Sequence, residues 1–429
     1  MRARHFCFLV SAIVGCSSAS GNDPGPSFTP PEAGPDVSTP QEAGDGKAGG
    51  AGALIDPDAG QADHWDPPYC ANTDLTGDLD KDGYSVNDGD CNDCTALMNP
   101  GAYDYVDGVD ENCDGEIDND GGDCDQGLAI EGNDAMDAAR SMGLCRVAKP
   151  GATGKDKTWG VISAKYVYPD GSTSSKAPGT YVGCQGSGGE GAPPNPLSHG
   201  ILPTFGANLV TRQGQSMVAL SSGVAREGVN GNSPGGAVMC TRSKVPPGFP
   251  TPSTNCPGQT VDPDSNANDG MALEIVLRVP SNAKAFSYDF DFYTYEFPGW
   301  VCDAYNDYFV ALLLPPHAGS GPNNNISFDS ANNPVSVNNA LLEVCTPGKY
   351  GGKQFACPMG TDELKGTGFD AAGATGWLQT TAAVVAGEEI TLRFAIWDSV
   401  DEMADATVLL DNFRWEVEEL PPGTIRPPK

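Results

Sequence analysis

From residue 272 the chain reads ALEIVLRV, in which Leu273, Ile275, Leu277 and Val279 alternate with Glu274, Val276 and Arg278. A period of two sends the two sets to opposite faces of a β-strand, so the segment predicts a strand with one buried and one wet face. AFSYDFDF repeats the pattern, with Phe286, Tyr288, Phe290 and Phe292 set against Ser287, Asp289 and Asp291. YFVALLL (308–314) is a continuous apolar run of the kind buried on both sides, and ITLRFAIW (390–397) alternates again. TVLLDNFRWEVEE closes the series, placing Leu409, Phe413, Trp415 and Val417 on one side. Gly, Asn and Pro clusters separate these runs, and no sustained helical period occurs. Residues 146–429 are therefore expected to form a two-sheet, jelly-roll-like β-sandwich, making the chain mainly β.

One short helix is predicted, within GNDAMDAARSMGLC (132–145). Asp134 is its N-cap, Met136, Ala139 and Met142 share a face, and Gly143 stops it. It belongs to a connector over 125–145. Upstream the pattern is lost. Residues 16–69 are rich in Pro, Gly, Ala, Ser and Asp with almost nothing to bury, which predicts a disordered tether. Some 50 such residues span roughly 40 Å.

The charge narrows the choice of partners. Lys plus Arg number 24 against 57 acids, a net −33, so nucleic-acid backbones and anionic lipid surfaces are repelled. The start, MRARHFCFLVSAIVGC, has Arg2 and Arg4 before an apolar run from Phe6 to Val14. That run is far shorter than the roughly 20 residues a membrane-spanning helix needs, and it reads as an export signal over 1–15. Its ending resembles the bacterial lipobox. The resemblance implies a lipidated Cys16, a membrane contact through that lipid, and, with Ser17 next, an outer-membrane or cell-surface location. The twelve cysteines of the body are then disulfide candidates in an oxidising compartment: Cys70, Cys91, Cys94, Cys113, Cys124, Cys145, Cys184, Cys240, Cys256, Cys302, Cys345 and Cys357. Local pairs such as Cys240 with Cys256 and Cys345 with Cys357 are candidates, but six cysteines allow 15 connectivities and spacing alone does not choose among them.

Residues 70–124 hold sixteen acids and one base, Lys81. Carboxylates about 4 Å apart repel by roughly 1 kcal/mol per pair even in water, so a compact module here needs a counter-ion. Asp78, Asp80 and Asp82 stand at alternate positions before Gly83, the spacing at which side chains curl around one hard cation, with the Tyr84 carbonyl next. An EF-hand needs Glu at the twelfth position, and Gly89 is there. Asp88, Asp90 or Asp93 must complete the shell. The register recurs 32 residues later as Asp110, Asn112 and Asp114 before Gly115, followed by Glu116 and Asp118. Oxygen ligands with no histidine between 65 and 198 favour structural Ca²⁺, with two ions or more, over zinc or copper. Cys91-x-x-Cys94 has half a zinc-site spacing, but an exported chain with Cys113 and Cys124 nearby favours disulfides.

The stretch from DLDKDGY through NPGAYD to DGVDENCDGEIDND resembles the MopE-type metal-binding motif over about residues 74–120. The family pattern carries a cysteine before the DG that is here Asp107-Gly108, where this chain has Val106. The resemblance implies that Cys94 takes over as the partner. The family name suggests copper; the ligands suggest calcium. The β region, through YEFPGWV and YNDYF above all, resembles the choice-of-anchor L domain of surface and secreted bacterial proteins over about 195–418. That resemblance implies a β-sandwich and no particular activity.

A weaker oxygen cluster lies in VDPDSNANDG, at Asp262, Asp264, Asn266, Asn268 and Asp269, where Ala267 replaces the loop glycine. Glu296, Asn306, Asp307 and Asp411 are candidates for an ion at a sandwich edge. Trp300, Trp377, Trp397 and Trp415 could stack on sugars, but most adjoin strands and are expected in the core. Enzyme motifs fail on chemistry. Ser233 in GNSPG is followed by Pro234, which has no N–H for an oxyanion hole, and GSGGEG (186–191) is followed by Pro193 and Pro194 where a helix must start. No catalytic residue is assigned. The reading is a lipid-anchored surface protein with a calcium-loaded stalk and a sandwich that binds a glycan or protein; a sandwich-fold glycan hydrolase and a purely structural envelope protein are the alternatives.

Overall fold

The computed structural model describes residues 74–174, 194–226, 239–262 and 264–427. The export signal, Cys16, the tether, Cys70, Cys184, Ser233 and the GSGGEG stretch lie outside the described residues. In chain order the strands are β1 (Gly160–Val167), β2 (His199–Leu202), β3 (Thr204–Phe205), β4 (Leu209–Val210), β5 (Met217–Ser221) and β6 (Arg242–Lys244). Then come β7 (Asn266–Arg278), β8 (Ala285–Thr294), β9 (Tyr308–Leu314), β10 (Gly348–Tyr350) and β11 (Lys353–Phe355). The last five are β12 (Gly373–Ala374), β13 (Leu378–Ala383), β14 (Glu389–Asp398), β15 (Ala406–Glu416) and β16 (Gly423–Ile425).

Every alternating run of the sequence is a strand. One antiparallel sheet runs β1-β7-β14-β9 with β6 beside β7; the other runs β16-β13-β8-β15-β5-β2 with β12 beside β8. From β7 to β9, and again from β13 to β15, successive strands alternate between the sheets, the winding expected of a jelly roll. The two sheets enclose one core. Leu273, Ile275, Leu277, Phe309, Ala311 and Phe394 from one sheet meet Phe286, Tyr288, Phe290, Val408 and Leu410 from the other.

The expected wet faces are dry. Ser287, Asp289, Asp291, Glu274 and Arg278 are all buried, because loops cover the outside of both sheets. Phe205, Leu209, Leu364 and Phe369 lie over Tyr293 and Leu409 on the larger sheet, while Val245 and Phe249 lie over Ala272, Val310 and Trp397 on the smaller. The acids beneath are matched by polar partners from adjoining strands and loops. Arg393 Nε donates to Glu274 Oε2 (2.9 Å), and Arg212 Nε and Asn412 Nδ2 both donate to Asp289 Oδ2 (2.9 Å).

The last long strand also departs from the sequence pattern. Asp411 pairs with Asp289 and Arg414 with Ser287, so one extra residue enters β15, and Asn412 is left-handed with φ 57°. The phase flips there. Val408 and Leu410 before the bulge, and Phe413 and Trp415 after it, face the core between the sheets, and Leu409 turns to the outer cluster.

The predicted helix forms as α1 (Ala135–Ser141), with Asp134 accepting from the Met136 amide (2.9 Å) and Gly143 at φ 95° beyond its end. It packs against β1, β2 and β5. The acidic module is docked on the sandwich rather than projecting as a stalk. The Tyr103 amide donates to Asn282 Oδ1 (2.8 Å), Asn282 Nδ2 returns a bond to the Tyr103 carbonyl (2.9 Å), and the Ser281 amide donates to the Gly101 carbonyl (2.9 Å). Asp120 receives Arg146 (2.7 Å) and Trp159 Nε1 (3.2 Å). Thus the NPGAYD segment is what holds the module to the β7–β8 turn.

Candidate metal centre

The loop from Asp78 to Gly83 folds around its own first carboxylate. Asp78 accepts from the Lys81 amide (2.7 Å) and the Gly83 amide (3.0 Å), Asp80 from the Asp82 amide (3.2 Å), and Asp82 from the Tyr84 amide (2.8 Å). The turn requires left-handed backbone at Lys81 (φ 69°) and Gly83 (φ 99°), and the second is a conformation few residues other than glycine take without strain.

Residues 110–115 repeat this geometry. Asp110 accepts from the Asp114 (3.2 Å) and Gly115 (2.9 Å) amides, Asn112 from the Asp114 amide (3.0 Å), and Asp114 from the Glu116 amide (2.9 Å). Cys113 (φ 56°) and Gly115 (φ 90°) take the places of Lys81 and Gly83. An asparagine serves each loop: Asn99 donates to Asp82 (2.7 Å), and Asn119 to both oxygens of Asp114 (3.1 and 3.0 Å).

Only the first of the two loops gathers a dense carboxylate cluster among the described residues. Asp78, Asp80 and Asp93 bring oxygens within 4.8 Å of one another, and so do Asp80, Asp82 and Asp90. The segment from Asp90 to Asp93 closes the cluster, with the Leu79 amide donating to Asp93 (2.9 Å) and the Asn92 amide to Asp90 (2.8 Å). Asp80 Oδ2, Asp90 Oδ2 and Asn92 Oδ1 are buried and accept no hydrogen bond, the state expected of ligand oxygens. Burial, then the charge of Asp80 and Asp90, pushes the Asp82 carboxyl up to about 7. Burial, then Asp80, Asp93 and Asp78, pushes Asp90 up to about 6, and burial with Asp78 and Asp93 raises Asp80. These shifts are what a cation would relieve. The residues present therefore fit a hard divalent ion.

The other predicted ligands divide. Asp88 is turned to Ser85, whose hydroxyl donates to it (2.7 Å) at a short 3₁₀ helix. In the second loop Asp118 accepts from the Asp107 (3.0 Å) and Gly108 (2.8 Å) amides, and Glu116 is exposed. Asp262 accepts from the Asp264 amide (2.9 Å), but Asn266 is taken by Lys244 (2.9 Å), Asn268 by Arg242 (3.1 Å) and Asp269 by the Met239 (2.7 Å) and Thr241 (2.8 Å) amides. That cluster is spent on β6 and its approach. Asp411 likewise accepts from the Arg212 amide (2.6 Å). Asn92 was not among the predicted ligands, although Asp90-x-Asn92 has the same spacing as Asp110-x-Asn112.

Cys91 pairs with Cys113, so the bridge joins the two loops and Cys94 does not take that place. Cys124 pairs with Cys145, and Cys345 with Cys357, one of the candidate local pairs. Cys256 pairs with Cys302 rather than with Cys240, while Cys94 and Cys240 are also disulfide-bonded. Trp397 and Trp415 are in the core, Trp377 is partly buried against it, and Trp300 is exposed.

Fold and site define a β-sandwich protein carrying a docked acidic module whose carboxylates could hold a metal. Residues 220–413 match the family model of the choice-of-anchor L domain, and residues 90–119 match that of the MopE type, described as "Putative metal-binding motif". The first is a domain of surface-associated proteins, which implies a cell-surface or exported chain. The second match begins after Asp78, Asp80 and Asp82, which the fold adds to it. No curated protein matches the chain. Two solved structures of a β-glucosidase from Kluyveromyces marxianus, one selenomethionine-labelled and one with glucose, align at 11% and 10% identity with TM-scores of 0.15 and 0.16. They cover 53% and 50% of this chain, which spans 18% of theirs. No helix among the described residues is long and apolar enough to cross a membrane.

Proposed function

We propose that the chain is a cell-surface lipoprotein, anchored through Cys16, whose acidic module is held in shape by Ca²⁺ and whose sandwich binds a surface glycan or protein. The observation that carries the metal part is the cluster of Asp78, Asp80, Asp82, Asp90 and Asp93, with buried oxygens at Asp80, Asp90 and Asn92 that accept no hydrogen bond. All ligands are oxygens, the set that calcium takes and copper does not favour. The ion would be structural: it neutralises repelling carboxylates and fixes the Asp78–Gly83 turn.

The experiment is thermal unfolding of the purified chain in excess calcium and in chelator. At a hundred times Kd, calcium should add ~2.7 kcal/mol of stability. Equal melting in both, with no calcium found by elemental analysis, removes the metal reading. Mass spectrometry of the protein extracted from membranes should show acyl mass on Cys16. A glycan panel separates binding from hydrolysis: retention without turnover supports the proposal, and turnover lost on neutralising one carboxylate supports the hydrolase instead.

A further inference from the structure

Two buried acids of the sandwich are matched by donors, Asp289 by Arg212 and Asn412, Glu274 by Arg393 and Lys165. One group differs. Where the β8–β9 segment meets the β14–β15 loop, Glu296, Asp307 and Asp398 are at most 1% exposed, and Asp307 and Asp398 lie within reach of each other. Asp307 Oδ2 and both oxygens of Asp398 accept no hydrogen bond. The nearby Ser222 hydroxyl is turned to the Ala406 carbonyl (3.4 Å). Two carboxyl groups thus face each other, with the Ser222 hydroxyl near Asp398. The charged groups that act most strongly on these acids are other acids, among them Asp405, Asp269, Asp401 and Asp303.

The polar residues that follow or precede the pair in sequence, Asn306 and Ser399, are buried with it. Asn306, 1% exposed, directly precedes Asp307; neither amide atom meets full hydrogen-bond geometry, and its side chain lies against the Tyr308 hydroxyl, which donates to the Thr251 carbonyl (3.0 Å). Ser399 Oγ is buried without a partner, and its amide reaches Asp307 Oδ1 (3.3 Å). Glu296 is fixed by the Asp307 amide (2.8 Å).

We propose that Asp307 and Asp398, with Asn306, Ser399 and Glu296 around them, form a second cation site inside the sandwich that takes Ca²⁺. Two carboxylates neutralise one divalent ion, and amide and hydroxyl oxygens complete a shell of the kind calcium accepts. The site is separate from the acidic module and stands if the module reading fails. Asp307 directly precedes β9 and Asp398 ends β14, whose pairing with β9 stops at Trp397 and Tyr308, so the ion would brace the end of that strand pair.

The test uses the full chain carrying Asp80→Asn and Asp90→Asn, dialysed against calcium chloride and desalted. Native mass spectrometry should find one retained calcium, and chelator should lower its Tm. Adding Asp398→Asn should abolish that ion, and adding the milder Ser399→Ala should weaken it by about tenfold with the fold intact by circular dichroism. An unchanged ion count with Asp398→Asn, or no retained ion and no chelator effect before it is added, overturns the site. Wild type that retains no more calcium than this background would overturn the module reading instead.

Discussion

Asp90 sits at the buried side of its cluster with one oxygen accepting the Asn92 amide and the other accepting nothing. Asp90→Asn keeps the shape and removes one charge, so calcium affinity should fall by about tenfold in a titration, while stability in chelator should hold or rise. The pH dependence follows from the direction of the shifts. Asp82 and Asp90 are raised to about 7 and about 6, so the folded chain binds protons more tightly than the unfolded chain does. Without metal their contribution is fully favourable below the unfolded carboxylate value near 4 and is lost as pH rises towards 7. Melting in chelator should therefore show stability falling across that window. Saturating calcium should flatten or reverse the trend, because the ion competes with the protons; the same slope in both conditions would count against ligation by these two groups. Much of this was legible in the sequence, since D-x-D-x-D-G dictates its own turn. What was not legible was which distant carboxylates join, because Asp88 and Asp90 are two residues apart and only the turn at Ser85 decides between them.

At the scale of elements, the two acidic loops are joined by the Cys91–Cys113 disulfide, which closes 22 residues. Replacing both with serine should cost ~3 kcal/mol in denaturant unfolding through the freed loop alone, and should weaken calcium binding because Asp90 and Asp93 lose their tie to the second loop. An unchanged midpoint would show that docking on the sandwich already holds the loops. The strands were legible because period two survives in the sequence, and their burial was not. Asp289 and Asp291 look like solvent residues until loops far away in sequence are laid over them. Likewise nothing in TVLLDNFRWEVEE announces that Asn412 takes the extra place in β15. An Asn412→Ala substitution should cost about 1–3 kcal/mol by chemical denaturation, because the Asp289 carboxylate beneath the outer loops loses a donor.

For the molecule as a whole, the module and the sandwich share a seam. Trp159 stands in it, edge-on to Tyr103 (5.5 Å) and to Trp415 (6.3 Å), with its indole N–H on Asp120. Trp159→Ala should cost about 3–5 kcal/mol and should split a single thermal transition into two, the earlier one sensitive to chelator. A single, uniformly lowered transition would mean that the seam does not depend on this residue. The composition announced an acidic module and a sandwich but not their union, because the residues that join them, Asn99, Tyr103, Ser281 and Asn282, are ordinary polar groups 179 or more positions apart at two of their contacts.

The loops laid over both sheets have one more consequence. β8 is buried along its whole length, and β7 and β15 nearly so, so their flat surfaces are closed to any visitor. Such a body resembles a stoppered vessel more than an open palm: its walls are closed, and what it leaves open is the rim of connecting segments.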